Sequence, residues 1–329
     1  KNVLMSMIAA NMSNIDFKKI INVANKIKSV SGRFEKIGLI KNNSSVILDY
    51  AHTPDALRLC LQNIKDQFKN RKISIVFGCG GERDKFKRPI MGKIANEYCD
   101  KIYLTDDNPR NEKPSEIRKD IKKGIKKFKV QELPDRKKAI HKAIMSLNTG
   151  ELLLVAGKGH EKIQDYGKRK LFFSDQEIIL KSIKYKNKFL SKDLKLNIIK
   201  EQSKSDISNK LVIKNISINS KTIKKNDVFF AIKGRRIDGN KFISEAFKKK
   251  SSLAIVNQFN KNYPLSNQIK VKNTLNFLTK CSSILRKNIK AKIISITGSC
   301  GKTTLKEMIG LTLKKISRTT YSPRSFNNK

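Results

Sequence analysis

Between residues 45 and 183, short runs of β-branched and aliphatic residues alternate with longer stretches whose apolar positions recur at helical spacing. This pattern predicts strands at 46–49, 73–77, 101–105, 129–132 and 152–155, and helices at 55–68, 88–98, 114–127 and 135–147. Parallel neighbours in a sheet need a crossover, and a helix supplies one, so the alternation predicts a doubly wound parallel α/β sheet. Open sheets of this kind bind ligands beyond the carboxyl ends of their strands. The residues that follow each strand are therefore the candidates for chemistry.

The pattern dissolves between residues 184 and 210 into Lys, Asn, Ser and Asp with short apolar pairs, a composition that predicts an irregular linker at 186–210. A smaller α/β module is expected over 211–290, with strands at 211–218, 228–232 and 253–256 and helices at 241–249 and 274–287. A strand at 293–297 then leads through a glycine-rich turn into a helix at 302–313, which predicts that a third unit begins at 291 and breaks off at 329. The first residues, with Val3, Leu4, Met7 and Ile8 at helical spacing and no cap before them, read as a helix entered part-way. The chain is expected to be a piece of a longer protein.

No apolar run approaches the about 20 residues that a membrane span needs, and no secretory leader pattern is found, so a cytoplasmic protein is expected. The five cysteines are scattered with no C-x-x-C pair, which argues against a disulfide framework or a zinc site. A formal charge of +44 raises nucleic-acid binding as an alternative. The basic residues are spread over every segment with no aromatic-interleaved face, so solvated lysines and attraction of acidic substrates explain them better, and no specific nucleic acid is expected.

Residues 297–304, Thr-Gly-Ser-Cys-Gly-Lys-Thr-Thr, form a candidate phosphate loop. Gly298 and Gly301 let backbone N–H groups approach phosphate oxygens, Lys302 offsets their charge, and Thr303 places a hydroxyl on Mg²⁺ at the helix start. The loop differs from the eight-residue Walker pattern, since Ile296 stands where that pattern has its first glycine. Four loops of the first unit stand out as well: Asp49-Tyr-Ala-His52-Thr-Pro-Asp55, Gly78-Cys-Gly-Gly81-Glu-Arg83-Asp84-Lys85, Thr105-Asp-Asp107-Asn108-Pro-Arg110 and Ala156-Gly157-Lys158-Gly159-His160-Glu161. Together they combine close-approach glycines, acceptors for an ammonium group (Asp107, Glu161) and guanidinium forks for a carboxylate or phosphate (Arg83, Arg110). Such a set suits a zwitterionic amino acid.

These loops, with Gly32-Arg33-Phe34-Glu35, closely resemble the C-terminal part of Mur ligases, in the MurE branch that adds the third peptide residue to the peptidoglycan precursor. The resemblance covers about residues 1–185. Residues 211–329, with Asn219-Ser220-Lys221, the run Val228–Gly239 and the phosphate loop, resemble the start of the MurF branch, which adds D-Ala-D-Ala. The resemblance implies the end of a central ATPase domain (1–32), a Rossmann-like C-terminal ligase domain (33–185), then a small UDP-substrate domain (211–290) and the start of a P-loop ATPase domain (291–329).

It also implies the chemistry: ATP and Mg²⁺ activate a carboxylate as an acyl phosphate, which an amine then attacks. Arg33, Asp49 and His52 match positions that face ATP. Arg83, Asp107, Asn108, Arg110, Gly157 and Glu161 match an amino-acid pocket, and the Asp-Asn-Pro-Arg form is the one associated with meso-diaminopimelate rather than L-lysine. Gly298, Gly301, Lys302, Thr303 and Thr304 match the ATP loop, with Lys302 and Thr303 in catalytic roles and Thr303 on the metal. Ser220, Lys221, Lys233, Gly234 and Asp238 match contacts to the uridine nucleotide, although Asn219 stands where related sequences often have Asp. The partners implied are a UDP-MurNAc-peptide, meso-diaminopimelate and D-Ala-D-Ala. A scaffold that binds precursor without turning it over is the remaining alternative.

Overall fold

The computed structural model describes residues 2–24, 26, 30–125, 130–234, 237–288, 291–298 and 300–322. The chain divides into two compact units, 1–288 and 289–329. The first opens with helices α1 (Asn2–Met12) and α2 (Phe17–Ala24) and then builds a six-stranded sheet from β1 (Glu35–Ile37), β2 (Ser45–Asp49), β3 (Ile73–Phe77), β4 (Lys101–Leu104), β5 (Val130–Glu132) and β6 (Leu152–Ala156). The spatial order is β1-β2-β6-β3-β4-β5. All neighbours are parallel except β1, which runs against β2 with Glu35 opposite Leu48.

Helices cover both faces, which is why the central strands are apolar without alternation. On β6, Leu152, Leu154 and Ala156 enter the core under α3 (Pro54–Gln67), α4 (Lys87–Tyr98) and α5 (Pro114–Lys122). Leu153 and Val155 enter the opposite core, under α6 (Arg136–Met145) and α7 (Asp175–Lys188). Local chemistry starts these helices where they are needed. Thr53 caps α3 ahead of Pro54, Asp135 accepts from the Lys138 N–H to cap α6, and Ser174 accepts from the Glu177 N–H to cap α7. A hairpin, β7 (Ile163–Asp165) and β8 (Lys170–Phe172), lies between β6 and α7.

Helix α8 (Leu194–Ser203) then leads to a second, all-parallel sheet of β9 (Ile216–Ser217), β10 (Val228–Phe230), β11 (Leu253–Val256) and β12 (Gln268–Lys270), in the order β12-β11-β10-β9. Helix α9 (Ile243–Lys248) packs on one face and α10 (Thr274–Lys287) on the other. The second unit is described by α11 (Lys302–Ile316) and the segments flanking it.

Three expectations change. The stretch expected to be an irregular linker holds the end of α7 and all of α8, whose Leu196, Ile198 and Ile199 are buried against Val228, Phe230 and Phe277. Its apolar residues come as short pairs among Lys and Asn, and only the tertiary partner reveals that they share a face. The strand expected at 211–218 shortens to Ile216–Ser217. Residues 293–297 form no strand, and Ile293 and Ile294 are exposed. An isolated strand has no hydrogen-bonding partner, and none of the described residues pairs with this one. Of the strand expected at 129–132, Lys129 lies outside the described residues.

Candidate functional site

Because β2, β6, β3 and β4 are adjacent and parallel, the four loops singled out above leave the same edge of the sheet side by side. They enclose a pocket of about 230 Å³ lined by Tyr50, His52, Gly78, Cys79, Gly80, Arg83, Lys87, Asp107, Asn108, Arg110, Gly157 and Glu161. The six residues expected to hold an amino acid thus meet in one cavity.

Glycine makes the close packing of these loops possible. A Cβ on Gly78 would lie 2.2 Å from the Thr105 carbonyl oxygen, and one on Gly157, at φ +112°, would lie 2.5 Å from Asp107 Oδ2. Arg110 sits at φ +50°, donates Nη1 to the Gly81 carbonyl at 2.6 Å, and has its backbone N–H on Asp165 O at 3.0 Å. One N–H therefore fixes the guanidinium and the rest of the fork remains for a ligand. Arg83 is exposed at the rim.

Glu161 is the most engaged acceptor. Its Oε1 accepts from the Tyr50 hydroxyl at 3.0 Å, and its Oε2 accepts from Asn108 Nδ2 at 3.0 Å and Lys158 Nζ at 3.2 Å. Burial opposes its charge, but the Lys158 ammonium and these bonds outweigh burial and hold the carboxyl below its ordinary value. Asp107 is buried, and its side chain accepts no hydrogen bond among the described residues; burial raises its carboxyl, with Arg136 and Lys158 pulling the other way. Burial also pushes the Cys79 thiol up to about 12, so no thiolate nucleophile is on offer here.

Beside the pocket, Arg33 lies over the Tyr50 ring at 4.6 Å, and Asp49 accepts from the Phe34 and Ala51 N–H groups, each at 2.7 Å. His52 Nδ1 is 2.9 Å from its near neighbour Tyr50 O, and Lys87 Nζ donates to His52 O at 2.9 Å. Asp49 thus ties the β1 approach to the end of β2, with His52 in the cavity wall and Arg33 beside it on that side.

The sequence reading missed three residues. Lys158 is fully buried beneath Asn108 and Glu161, and Tyr50 and Lys87 line the cavity. Lys158 could have been found, since a lysine between two glycines directly after an apolar strand has few bland explanations. Tyr50 and Lys87 carry no comparable signal.

The other candidates lie elsewhere. Ser220 and Lys221 follow β9, and Lys233, Gly234 and Asp238 follow β10, on the same edge of the second sheet. Ser220 is buried and donates its hydroxyl to Glu245 Oε2 at 2.7 Å, while Lys233 and Asp238 pair across a tight loop closed by Gly234 N–H on Ile237 O at 2.8 Å. In the second unit, Gly301 at φ +74° precedes α11, whose first residues are Lys302, Thr303 and Thr304, and Lys302 Nζ donates back to Gly298 O at 2.6 Å. A Cβ on Gly301 would meet none of the described residues within 4 Å. A glycine with open space before a 15-residue helix fits a phosphate group, which the helix N-terminus favours. No group of three or more His, Cys, Asp or Glu among the described residues is placed to hold a metal.

Two segments match known families: residues 32–159 match "Mur ligase, glutamate ligase domain" and residues 212–283 match "Mur ligase family, catalytic domain". Both segments are thus similar to Mur ligase domains. It is 42% identical over 188 residues to the UDP-N-acetylmuramoyl-L-alanyl-D-glutamate--2,6-diaminopimelate ligase of Rickettsia felis, covering 57% of this chain and 35% of that one. The protein of the same description from Wigglesworthia glossinidia brevipalpis is 47% identical over 186 residues, covering 56% and 37%. A solved structure of such a ligase aligns at 34% identity with a TM-score of 0.45, over 56% of this chain and 38% of that one. The chain therefore spans little more than a third of the length of the curated relatives it matches. No helix among its described residues is long and apolar enough to cross a membrane.

Proposed function

We propose that residues 33–185 are the amino-acid-binding domain of a cytoplasmic, ATP-dependent amide ligase that joins meso-diaminopimelate to UDP-MurNAc-L-Ala-D-Glu in peptidoglycan precursor synthesis. The observation that carries the reading is the convergence of Arg83, Arg110, Asp107, Asn108 and Glu161 on one pocket. Diaminopimelate is zwitterionic at both ends. The free part of the Arg110 fork suits its distal carboxylate, whereas L-lysine would bring a second ammonium to the same place. Asp107 and Glu161 suit the distal ammonium. The names of the Rickettsia and Wigglesworthia relatives point the same way.

ATP, when bound with Mg²⁺, supplies the phosphoryl group that activates the acceptor carboxylate for amide formation. In this reading Arg33, beside the pocket, and His52, in its wall, face the nucleotide, and Asp49 positions the backbone that carries them. The pocket holds the amino acid so that its other amine faces outward, which converts a bimolecular encounter into a positioned one.

The same reading makes residues 211–329 the start of a second ligase of the MurF type, adding D-Ala-D-Ala. Here Ser220, Lys221, Lys233, Gly234 and Asp238 would contact the UDP-precursor, and Gly298, Gly301, Lys302, Thr303 and Thr304 the ATP phosphates, with Thr303 on Mg²⁺. What supports this is a second, separate Mur ligase match at residues 212–283, after the one at 32–159.

The test is an ATP-dependent ligation assay on the full protein that carries this chain, offering UDP-MurNAc-L-Ala-D-Glu with meso-diaminopimelate or L-lysine. Incorporation of diaminopimelate alone, lost in Arg110→Ala, is the expected result. Lysine incorporation sinks the specificity argument, and incorporation of neither turns the domain into a noncatalytic binder.

A further inference from the structure

Lys158 is fully buried yet does not line the pocket. Its ammonium has three donors, and all three are used: on Asn108 Oδ1 at 2.8 Å, Glu161 Oε2 at 3.2 Å and Ile163 O at 2.6 Å. A buried ammonium is costly unless fully bonded, so its geometry is tightly specified. Asn108 Oδ1 also accepts from the Asp165 N–H at 3.0 Å. With the amide oxygen doubly occupied, the Asn108 side chain cannot flip without losing both bonds. Its Nδ2 is thereby aimed at Glu161, and one N–H of that nitrogen remains for a ligand in the cavity.

We infer that Lys158 is a positioning and specificity-determining residue: it locks the Asn108 amide with its donor toward the pocket and holds Glu161 as an ionised acceptor, so that the cavity presents one donor and one acceptor at fixed places to the zwitterionic end of the amino acid. The inference rests on the diaminopimelate reading above. A simple structural staple between the 157–161 loop and the β7 hairpin, through Ile163 O, is the competing explanation, and it makes a different prediction. A staple does not act through Asn108; a positioning residue does.

The experiment is a double-mutant cycle on the full chain, with Lys158→Met and Asn108→Ala singly and together, read by calorimetric titration with meso-diaminopimelate below the melting temperature of each variant. Each single change weakens binding by about ten- to hundredfold, the scale of a hydrogen bond to a charged group. The double variant loses less than the product of the two single losses, because Asn108 is one of the two routes, with Glu161, by which Lys158 acts. Multiplicative losses overturn the positioning role, as does a Lys158→Met chain that melts lower but binds normally. Should Lys158→Met fail to fold, Lys158→Gln, which can still donate to Ile163 O, replaces it in the cycle with the same criteria. A wild-type chain that binds no diaminopimelate removes the proposed function and this inference together; a wild-type chain that binds, with independent losses, removes this inference alone.

Discussion

Arg136 and Asp175 meet in a two-pronged ion pair, Nε to Oδ1 at 2.8 Å and Nη2 to Oδ2 at 2.7 Å, with neither side chain exposed. The pair joins α6 to α7, and Arg136 Nη2 also donates to Ala156 O at 2.9 Å, one residue before pocket-lining Gly157. Burial opposes the guanidinium charge, but Asp175 outweighs it and raises the pKa. Removing one member strands the other charge in the core. Arg136→Met is expected to cost about 3–5 kcal/mol, whereas Arg136→Met with Asp175→Leu costs less than either single change. Urea unfolding of the three variants checks this, and a double variant less stable than both singles would count against it.

Lys186 provides a pH test. Its Nζ donates to Met145 O at 3.0 Å and Leu147 O at 2.7 Å, at the end of α6. Burial lowers the ammonium to about 8, with Glu201 and Glu151 pulling it back up. The folded value lies below the unfolded value of roughly 10.4, so the unfolded chain holds more protons between those values, and stability rises with pH across that window. Below about 8 both states are protonated and the whole cost of burying the charge is felt. Relative to Lys186→Met, wild type should gain on the order of 2–3 kcal/mol between pH 7.5 and 10.4 in denaturant titrations. A difference that stays flat with pH would rule this out.

Glu201 fastens α8 to the six-stranded domain: its Oε2 accepts from the Thr149 N–H at 2.8 Å and its Oε1 from Asn42 Nδ2 at 3.0 Å. On its other side α8 is buried in the core of the second sheet. Glu201→Ala should destabilise by about 1–3 kcal/mol, since two buried donors lose their acceptor. It should also speed tryptic cleavage at Lys204, the left-handed residue that ends α8. Unchanged cleavage would mean that the helix is held without this contact.

Gly157→Ala probes the close approach at the pocket floor. The backbone there is at φ +112° and an added methyl would press on Asp107. The expected cost is about 1–3 kcal/mol of stability, together with loss of diaminopimelate binding. A variant that binds normally would show that the loop relaxes without disturbing Asp107.

Much of this was legible in the chain. The apolar runs 73–77 and 152–155 became β3 and β6 because both faces of the sheet are covered, and the loops after them carry the candidate residues that line the pocket. What stayed hidden depends on contacts far apart in sequence. Nothing in the local pattern of 194–203 says that Leu196 and Ile199 face Phe230, or that Glu201 reaches Thr149. The short edge strand β1 is only three residues long, too short to show a period. The position of Lys158 between two glycines marks it in the sequence, but its three acceptors are seen only in the fold.

The cavity between Arg83, Asp107, Asn108, Arg110 and Glu161 is proposed to select diaminopimelate by its distal carboxylate. Calorimetric titration of the chain with meso-diaminopimelate and with L-lysine, before and after Arg110→Ala, tests it most directly. The expected outcome is a preference for diaminopimelate of at least about tenfold, the scale of a charge-assisted bidentate contact, abolished by the substitution. Equal or tighter binding of lysine to the wild-type chain, or a preference that survives Arg110→Ala, would contradict the account.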